Sequence, residues 1–305
     1  MAIFHLIAPS GYCIQQDAAI RGVERLRAQG HSVRHSDVIS RREQRFAGGD
    51  AERLADLNAL ARLESTPQIA LAVRGGYGVT RLLPNIQFAA IAARLRQSPL
   101  IVCGHSDFTA FQLALLAKEN AVTFSGPMLA GNFGAAAPSE FTERHFWQAL
   151  HSPRFTLTWR SQHAPFIATG TVWGGNLAML VSLLGTPWFP QITNGILVIE
   201  DINEHPFRIE RMLLQLLDAG VLPRQRALVF GSFSAAKTND YDAGFDLQSV
   251  RDTLRRRLDI PIIDGLCFGH EPDTVTLPLG ACGELCHSGN EAALTLSGHP
   301  TLPIN

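Results

Sequence analysis

Short, unbroken apolar runs alternate with stretches of helical periodicity through the first half of the chain. Residues 69–73 and 100–103 are continuous apolar runs, and 3–8 is one interrupted only by His5. At four to six residues they are too short for buried helices and read as strands covered on both faces. Residues 15–29 carry Ala, Ile, Val and Leu at helical spacing and stop at Gly30, a natural C-terminal cap. Asp50 is placed to cap a helix over 51–64. Further helices are expected at 79–83, 88–96, 109–118 and 140–150, with shorter strands at 32–35 and 122–124. Residues 41–49 and 125–134 read as loops. Strands alternating with helices predict an α/β fold whose parallel sheet is covered on both faces.

The rhythm loosens from His151 to Pro165, and the expected crossover between domains lies there. We place an α/β domain at 1–162, with the crossover at about 151–162 inside it, and a second domain at 163–305. The second part is richer in strands: 155–159, 166–173, 195–200, 227–233, 261–263, 274–277, 281–286 and 293–296. Helices are expected at 176–184, 207–219 and 247–258. The result is a mixed, β-rich domain. Residues 234–244 form a long polar rim.

Composition narrows the partners. A formal net charge of -1 over 305 residues gives no electrostatic footprint for nucleic acid or an anionic membrane. Residues 1–8 lack a basic flank and a cleavage site, so they read as a strand and not a signal peptide. No apolar run approaches the ~20 residues of a membrane span. Five scattered cysteines, with no Cys-x-x-Cys pair, fit reduced and mostly buried thiols in the cytoplasm. There is no His-Glu-x-x-His and no Cys/His cluster at ligand spacing, so neither metal nor cofactor is expected.

Ligands of α/β sheets sit at the carboxyl ends of strands. Several unusual segments fall there: Pro9-Ser10-Gly11, Arg74-Gly75-Gly76-Tyr77-Gly78, Gly104-His105-Ser106-Asp107, Glu200-Asp201 and Gly269-His270-Glu271. Ser106 sits on a tight turn between a strand and an apolar helix, as in a nucleophile elbow, although Phe108 stands where the usual second glycine would be. Ser106 and Asp107 also fit a simple helix cap. A nucleophilic serine needs a base and a group that orients the base. His270, on a Gly-flanked turn, and Glu200, closing an apolar strand, are the candidates, with His105 and His205 as rival bases. A glycine pair allows close backbone approach, so the N–H groups of Gly75 and Gly76, with that of Asp107, are candidate oxyanion donors. Trp147, Trp159, Trp173 and Trp188 read mainly as core, with Trp173 also a possible substrate rim.

These segments, together with Ala8-Pro9-Ser10-Gly11, Trp173-Gly174-Gly175-Asn176-Leu177, Leu197-Val198-Ile199-Glu200-Asp201 and Leu277-Pro278-Leu279-Gly280, run in order along nearly the whole chain. The combination resembles the LD-carboxypeptidase family of serine peptidases. The resemblance implies a flavodoxin-like N-terminal domain and a β-rich C-terminal domain, often dimeric, in a cytoplasmic enzyme of peptidoglycan recycling. It implies release of the terminal D-Ala from L-Ala-γ-D-Glu-meso-diaminopimelate-D-Ala by a triad of Ser106, Glu200 and His270. An exopeptidase must also grip a terminal carboxylate, a task suited to arginine. Arg74 is the first candidate and Arg208 the second, with Tyr77 and Trp173 as further substrate contacts. A microcin-immunity peptidase belongs to the same family and is the alternative function. A non-catalytic, two-domain binding protein for an anionic ligand is the alternative of a different class.

Overall fold

The computed structural model describes residues 1–64, 68–236 and 238–303. Thirteen strands are formed among them: β1 Ile3–Ile7, β2 Ser32–Arg34, β3 Gln68–Ala72, β4 Leu100–Gly104, β5 Thr123–Ser125, β6 Arg154–Arg160, β7 Phe166–Asn176, β8 Ile196–Ile202, β9 Ala227–Ser234, β10 Ile262–Ile263, β11 Leu277–Leu279, β12 Cys282–Ser288 and β13 Glu291–Ser297. The helices are α1 Gln16–Ala28, α2 Asp50–Ala59, α3 Val79–Leu82, α4 Phe88–Gln97, α5 Thr109–Glu119, α6 Glu140–His151, α7 Leu177–Ser182, α8 Pro206–Asp218 and α9 Leu247–Arg255.

Two sheets result. The first has the order β11-β5-β4-β3-β1-β2 and is parallel except for β11. The second runs β10-β9-β8-β7-β12-β13-β6. Its β10 to β7 portion is parallel, and the remainder is antiparallel. The chain is therefore an α/β protein with a mostly parallel sheet followed by a mixed one. Sheet membership does not change at a single point. β6 is already the edge of the second sheet, although it precedes residue 162. β11, from far along the chain, returns to close the edge of the first.

Strand alternation sorts side chains into two apolar layers, one on each face. Phe4, Leu6, Ile69, Leu71, Ile101, Cys103, Ile196 and Val198 join one layer. Ile7, Ala70, Ala72, Leu100, Val102, Leu197 and Ile199 join the other. Each layer thus runs through both sheets. Helix α5 lies deepest: its first eight residues, Thr109 to Leu116, are all buried, and it packs on α7 and β7 of the other half.

Several local expectations change. Gly49, not Asp50, occupies the N-cap of α2, and Asp50 pairs with Arg53 and Arg81. The 125–134 segment is not all loop. Leu129–Phe133 forms a π-type turn whose Leu129 and Phe133 are buried. The expected strand at 274–277 lies at Leu277–Leu279 instead. Two of the five cysteines, Cys13 and Cys103, are buried, whereas Cys267 and Cys282 are exposed. Cys282 falls on an outward-facing position of β12. Of the polar rim at 234–244, Lys237 lies outside the described residues, and Asp240–Asp242 is a 3-10 turn capped by Asn239. Among the described residues no helix is long and apolar enough to cross a membrane.

Candidate active site

The turn after β4 holds Ser106 at φ 64°, in the left-handed region that residues with a Cβ rarely enter. Strain of this kind survives only where the surroundings impose it. Here the surroundings are the preceding buried strand, the buried helix α5 and the glycine turn after β3. A Cβ on Gly75 would lie 2.6 Å from the Cβ of Ser106 and 2.7 Å from its Oγ, so only glycine permits this approach. The same imagined atom would lie 3.4 Å from the backbone N of Asp107. Serine, glycine turn and Asp107 amide therefore converge on one spot.

The Asp107 side chain locks the two turns together. It is buried, and its Oδ2 accepts the Val79 N–H at 3.0 Å. Burial pushes its carboxyl above the ordinary value, against the Val79 N–H bond that favours the charged form. The Pro9–Gly11 segment braces the other side. Gly11 N–H donates to the Gly75 carbonyl at 3.1 Å, and the fully buried Arg53 donates to the Pro9 carbonyl at 2.7 Å.

The second half supplies the ionisable groups. Glu200 lies on β8, 1% exposed, and its Oε2 accepts the His270 Nδ1–H at 2.7 Å. A carboxylate can only accept, so this bond puts the proton on Nδ1 and leaves Nε2 with a free lone pair. The register between β8 and β9 shifts around Glu200. Ile199 pairs with Phe230 and Asp201 with Phe233, so β9 carries an extra residue as a bulge. At the bulge the Ser232 N–H binds the Phe268 carbonyl at 2.7 Å, which draws in the loop that carries His270. Gly231 makes this possible, since a Cβ there would stand 2.4 Å from that carbonyl.

Sequence reasoning passed over Asn176 as a working residue. Parallel pairing of β7 with β8 sets Asn176 beside Glu200. Its Nδ2 donates to Glu200 Oε1 at 3.3 Å and to Asp201 Oδ1 at 3.1 Å, and its backbone N–H donates to Thr109 Oγ1 at the start of α5, the helix that follows the serine turn. The signal available was an Asn after two glycines at a strand end, but its partner depends on a register between distant segments. Asp201 is pushed up to about 6. Burial is the main cause, and the neighbouring Glu200 charge adds to it against amides of Ala178 and Ile202.

Burial alone would lower the pKa of His270. The Glu200 hydrogen bond and charge, with Asp201 and Glu271, outweigh it and raise the value above 6.5. His105, the rival base, behaves oppositely. It is buried, lowered to about 4 by desolvation and by His270, and its Nδ1 is held 2.8 Å from the Gly126 carbonyl. It packs edge-on against His270 with ring centroids 5.0 Å apart. His205 caps α8 and pairs with Asp242.

Ser106, His270, His105, Gly75, Gly76 and Arg74 line one cleft of about 780 Å³ between the sheet ends. Glu200 stands behind His270. Among the described residues Ser106 Oγ and His270 share no hydrogen bond, although both face this space. Such contacts are often long without substrate. Arg74 reaches the cleft while donating to the Tyr12 carbonyl at 2.8 Å. The remaining expected contacts lie elsewhere. Trp173 is fully buried, with its N–H on Gln225 Oε1 at 2.9 Å, and is a core residue. Arg208 sits on the solvent face of α8 beside Glu204. The Tyr77 ring turns to Phe46 and Arg45. A second hollow, about 900 Å³ between Arg160, His163, Arg255 and Glu291, contains none of these groups. Among the described residues no group of three or more His, Cys, Asp or Glu side chains is placed to hold a metal ion.

Residues 4–126 match the model of the LD-carboxypeptidase N-terminal domain, and residues 169–285 match that of the C-terminal domain. A probable murein peptide carboxypeptidase of Bacillus subtilis (strain 168) is 31% identical over 269 residues, which is 87% of this chain and 82% of that protein. The chain belongs to the LD-carboxypeptidase family. Within that family, the crystal structure of muramoyltetrapeptide carboxypeptidase from Oxalobacter formigenes is 42% identical, with a TM-score of 0.91 over 98% of this chain and all of that one. The microcin C7 self-immunity protein MccF of Escherichia coli is more distant, at 29% identity over 85% of this chain and 83% of that protein. A solved MccF structure, 23% identical, shares the fold with a TM-score of 0.83 over 99% of this chain and 97% of that one.

Proposed function

We propose that this LD-carboxypeptidase is a serine peptidase that removes the terminal D-Ala from murein tetrapeptide by cleaving the bond after the L-centre of the third residue. The observation that carries the reading is the buried Glu200–His270 hydrogen bond facing the same cleft as the strained Ser106. His270 Nε2 takes the Ser106 proton as Oγ attacks the carbonyl. Glu200 holds the tautomer and stabilises the imidazolium. The N–H groups of Asp107 and the Gly75-Gly76 turn receive the developing oxyanion. His270 then protonates the leaving amine of D-Ala, and water, deprotonated by the same imidazole, hydrolyses the acyl-enzyme. Arg74 is the group suited to the terminal carboxylate, since among the described residues it has no carboxylate partner and it lines the cleft. The names of the B. subtilis and O. formigenes relatives support a murein peptide over a microcin-type substrate, and we place the working enzyme in the cytoplasm as a homodimer.

The test is D-Ala release from murein tetrapeptide by the wild type and by Ser106→Ala. The folded variant should retain less than a thousandth of the turnover while still binding the peptide. Near-normal release from Ser106→Ala would overturn the mechanism. Tight binding by the wild type with no release at any pH would favour a binding protein instead.

A further inference from the structure

The cleft has an unusual charge inventory. Among the described residues that line it, apart from the histidines, only Arg74 and Glu271 carry charge, and they come from opposite halves of the chain. The other lining groups are neutral, mainly small or amide side chains such as Ala130, Ala136, Asn132 and Asn203. Glu271 is exposed to the cleft and, among the described residues, has no hydrogen bond or ion pair. Its backbone is nonetheless well fixed. His270 on one side is tied to Glu200, and the Pro272 carbonyl on the other accepts the Thr142 hydroxyl at 2.8 Å. Asp273 is held by the Ser139 hydroxyl and Thr274 N–H by Thr142 Oγ1. A partnerless carboxylate on a braced loop is in place before any ligand arrives, which lowers the cost of ordering it.

We propose that Glu271 is a specificity residue that receives a cationic ammonium group on the acyl side of the scissile bond. This rests on the peptidase reading above. If Arg74 takes the terminal carboxylate of the leaving residue, the complementary charge next to the catalytic histidine selects a substrate whose preceding residue carries an amino group on its side chain. Peptides with an acyl-side diamino acid fit this polarity, and peptides with an acidic or apolar residue there do not. A charged pair of this kind, partly shielded from water by the bound peptide, is expected to contribute about five- to tenfold in kcat/KM.

The experiment compares L-Ala-γ-D-Glu-L-Lys-D-Ala with the same peptide carrying norleucine, which keeps the carbon chain and lacks the ammonium. The wild type should favour the lysine peptide about five- to tenfold in kcat/KM. Glu271→Gln should bring the lysine peptide down to the norleucine level, and Glu271→Lys should reverse the preference. An equal proportional loss on both peptides would overturn the proposal and assign Glu271 to the tuning of His270. An unchanged lysine preference in Glu271→Gln would also overturn it. If the wild type cleaves neither peptide, the peptidase reading fails, and calorimetric titration of both peptides into Ser106→Ala still decides the ammonium preference: equal affinities sink it.

Discussion

Replacing Glu200 with Gln tests the electrostatic core of the site without changing its shape. Asn176 Nδ2 already donates to Glu200 Oε1, and Asn176 Oδ1 is occupied by the Met179 N–H. A Gln at position 200 must therefore turn its carbonyl toward Asn176 and its NH₂ toward His270 Nδ1. That forces the proton onto Nε2, the nitrogen that should accept the serine proton. Loss of a hydrogen bond to a charged group removes about 1.5–3 kcal/mol, or roughly a factor of 10–10² in rate. The wrong tautomer adds to this, and a comparable change in a Ser-His-Asp enzyme costs about 10⁴. We expect kcat for D-Ala release to fall about 10³–10⁴-fold, with melting temperature nearly unchanged. The pH profile should move as well. In the wild type His270 is raised above 6.5, so activity rises with pH only as that proton leaves, and the acid limb lies above 6.5. Without the Glu200 charge, desolvation gains weight and the acid limb moves to lower pH. D-Ala release followed from pH 5 to 9, coupled to a D-amino-acid oxidase, reads both effects. A variant within tenfold of wild type, with its acid limb in place, would refute the assigned role of Glu200.

Two further substitutions probe what surrounds the triad. Gly75→Ala introduces a methyl 2.6 Å from Ser106 Cβ. It should cut kcat at least about 10²-fold by displacing the serine or the oxyanion donors, and normal turnover in steady-state assays would remove Gly75 from the site. Trp173→Phe leaves Gln225 Oε1 unpaired in the core and opens a small cavity, for about 2–4 kcal/mol of stability by urea unfolding. Turnover of the folded variant should stay within about twofold, and a selective rise in KM would instead return Trp173 to the substrate.

The three proposed catalytic residues were legible because each ends an apolar run. Ser106 follows Leu100–Cys103, Glu200 closes 195–199, and His270 comes after Leu266 to Phe268. Strand ends can be read from local hydrophobicity, and charge or hydroxyl at such an end stands out. What local reading missed depends on pairing between distant segments. Asn176 acquires its partners only when β7 lies parallel to β8 in one register. The bulge that draws Phe268 toward β9 has no signature beyond one glycine, Gly231. β11 has the same apolar look whichever sheet it joins, and its antiparallel pairing with β5 is decided by tertiary packing. Trp173 is core, as its residue type mainly suggests, and its rim role, like the carboxylate grip expected of Arg208, departs from the structure for a related reason. Both are residue types suited to binding, but strand parity turns Trp173 into the apolar layer and helix phase turns Arg208 to solvent.

Assembly of the serine–histidine contact has to be reconciled with how the halves are joined. Because Ser106 follows a strand of the first sheet, while Glu200 lies on β8 of the second and holds the His270 loop, hinge motion between domains is an obvious way to bring them together. The packing argues against a large hinge. Both apolar layers run through both sheets, β11 ties the C-terminal segment into the first sheet, and α5 is buried against α7 and β7. A rotation of one half would open these layers at about 25 cal/mol per Å² of apolar surface exposed, so a few hundred Å² already costs several kcal/mol. On the proposed mechanism the remaining adjustment is local. His270 is held by Glu200 and by the His105 ring, whereas Ser106 Oγ has no hydrogen-bond partner among the described residues and turns about a single bond. Movement confined to the Ser106 turn as the peptide fills the cleft leaves both layers intact.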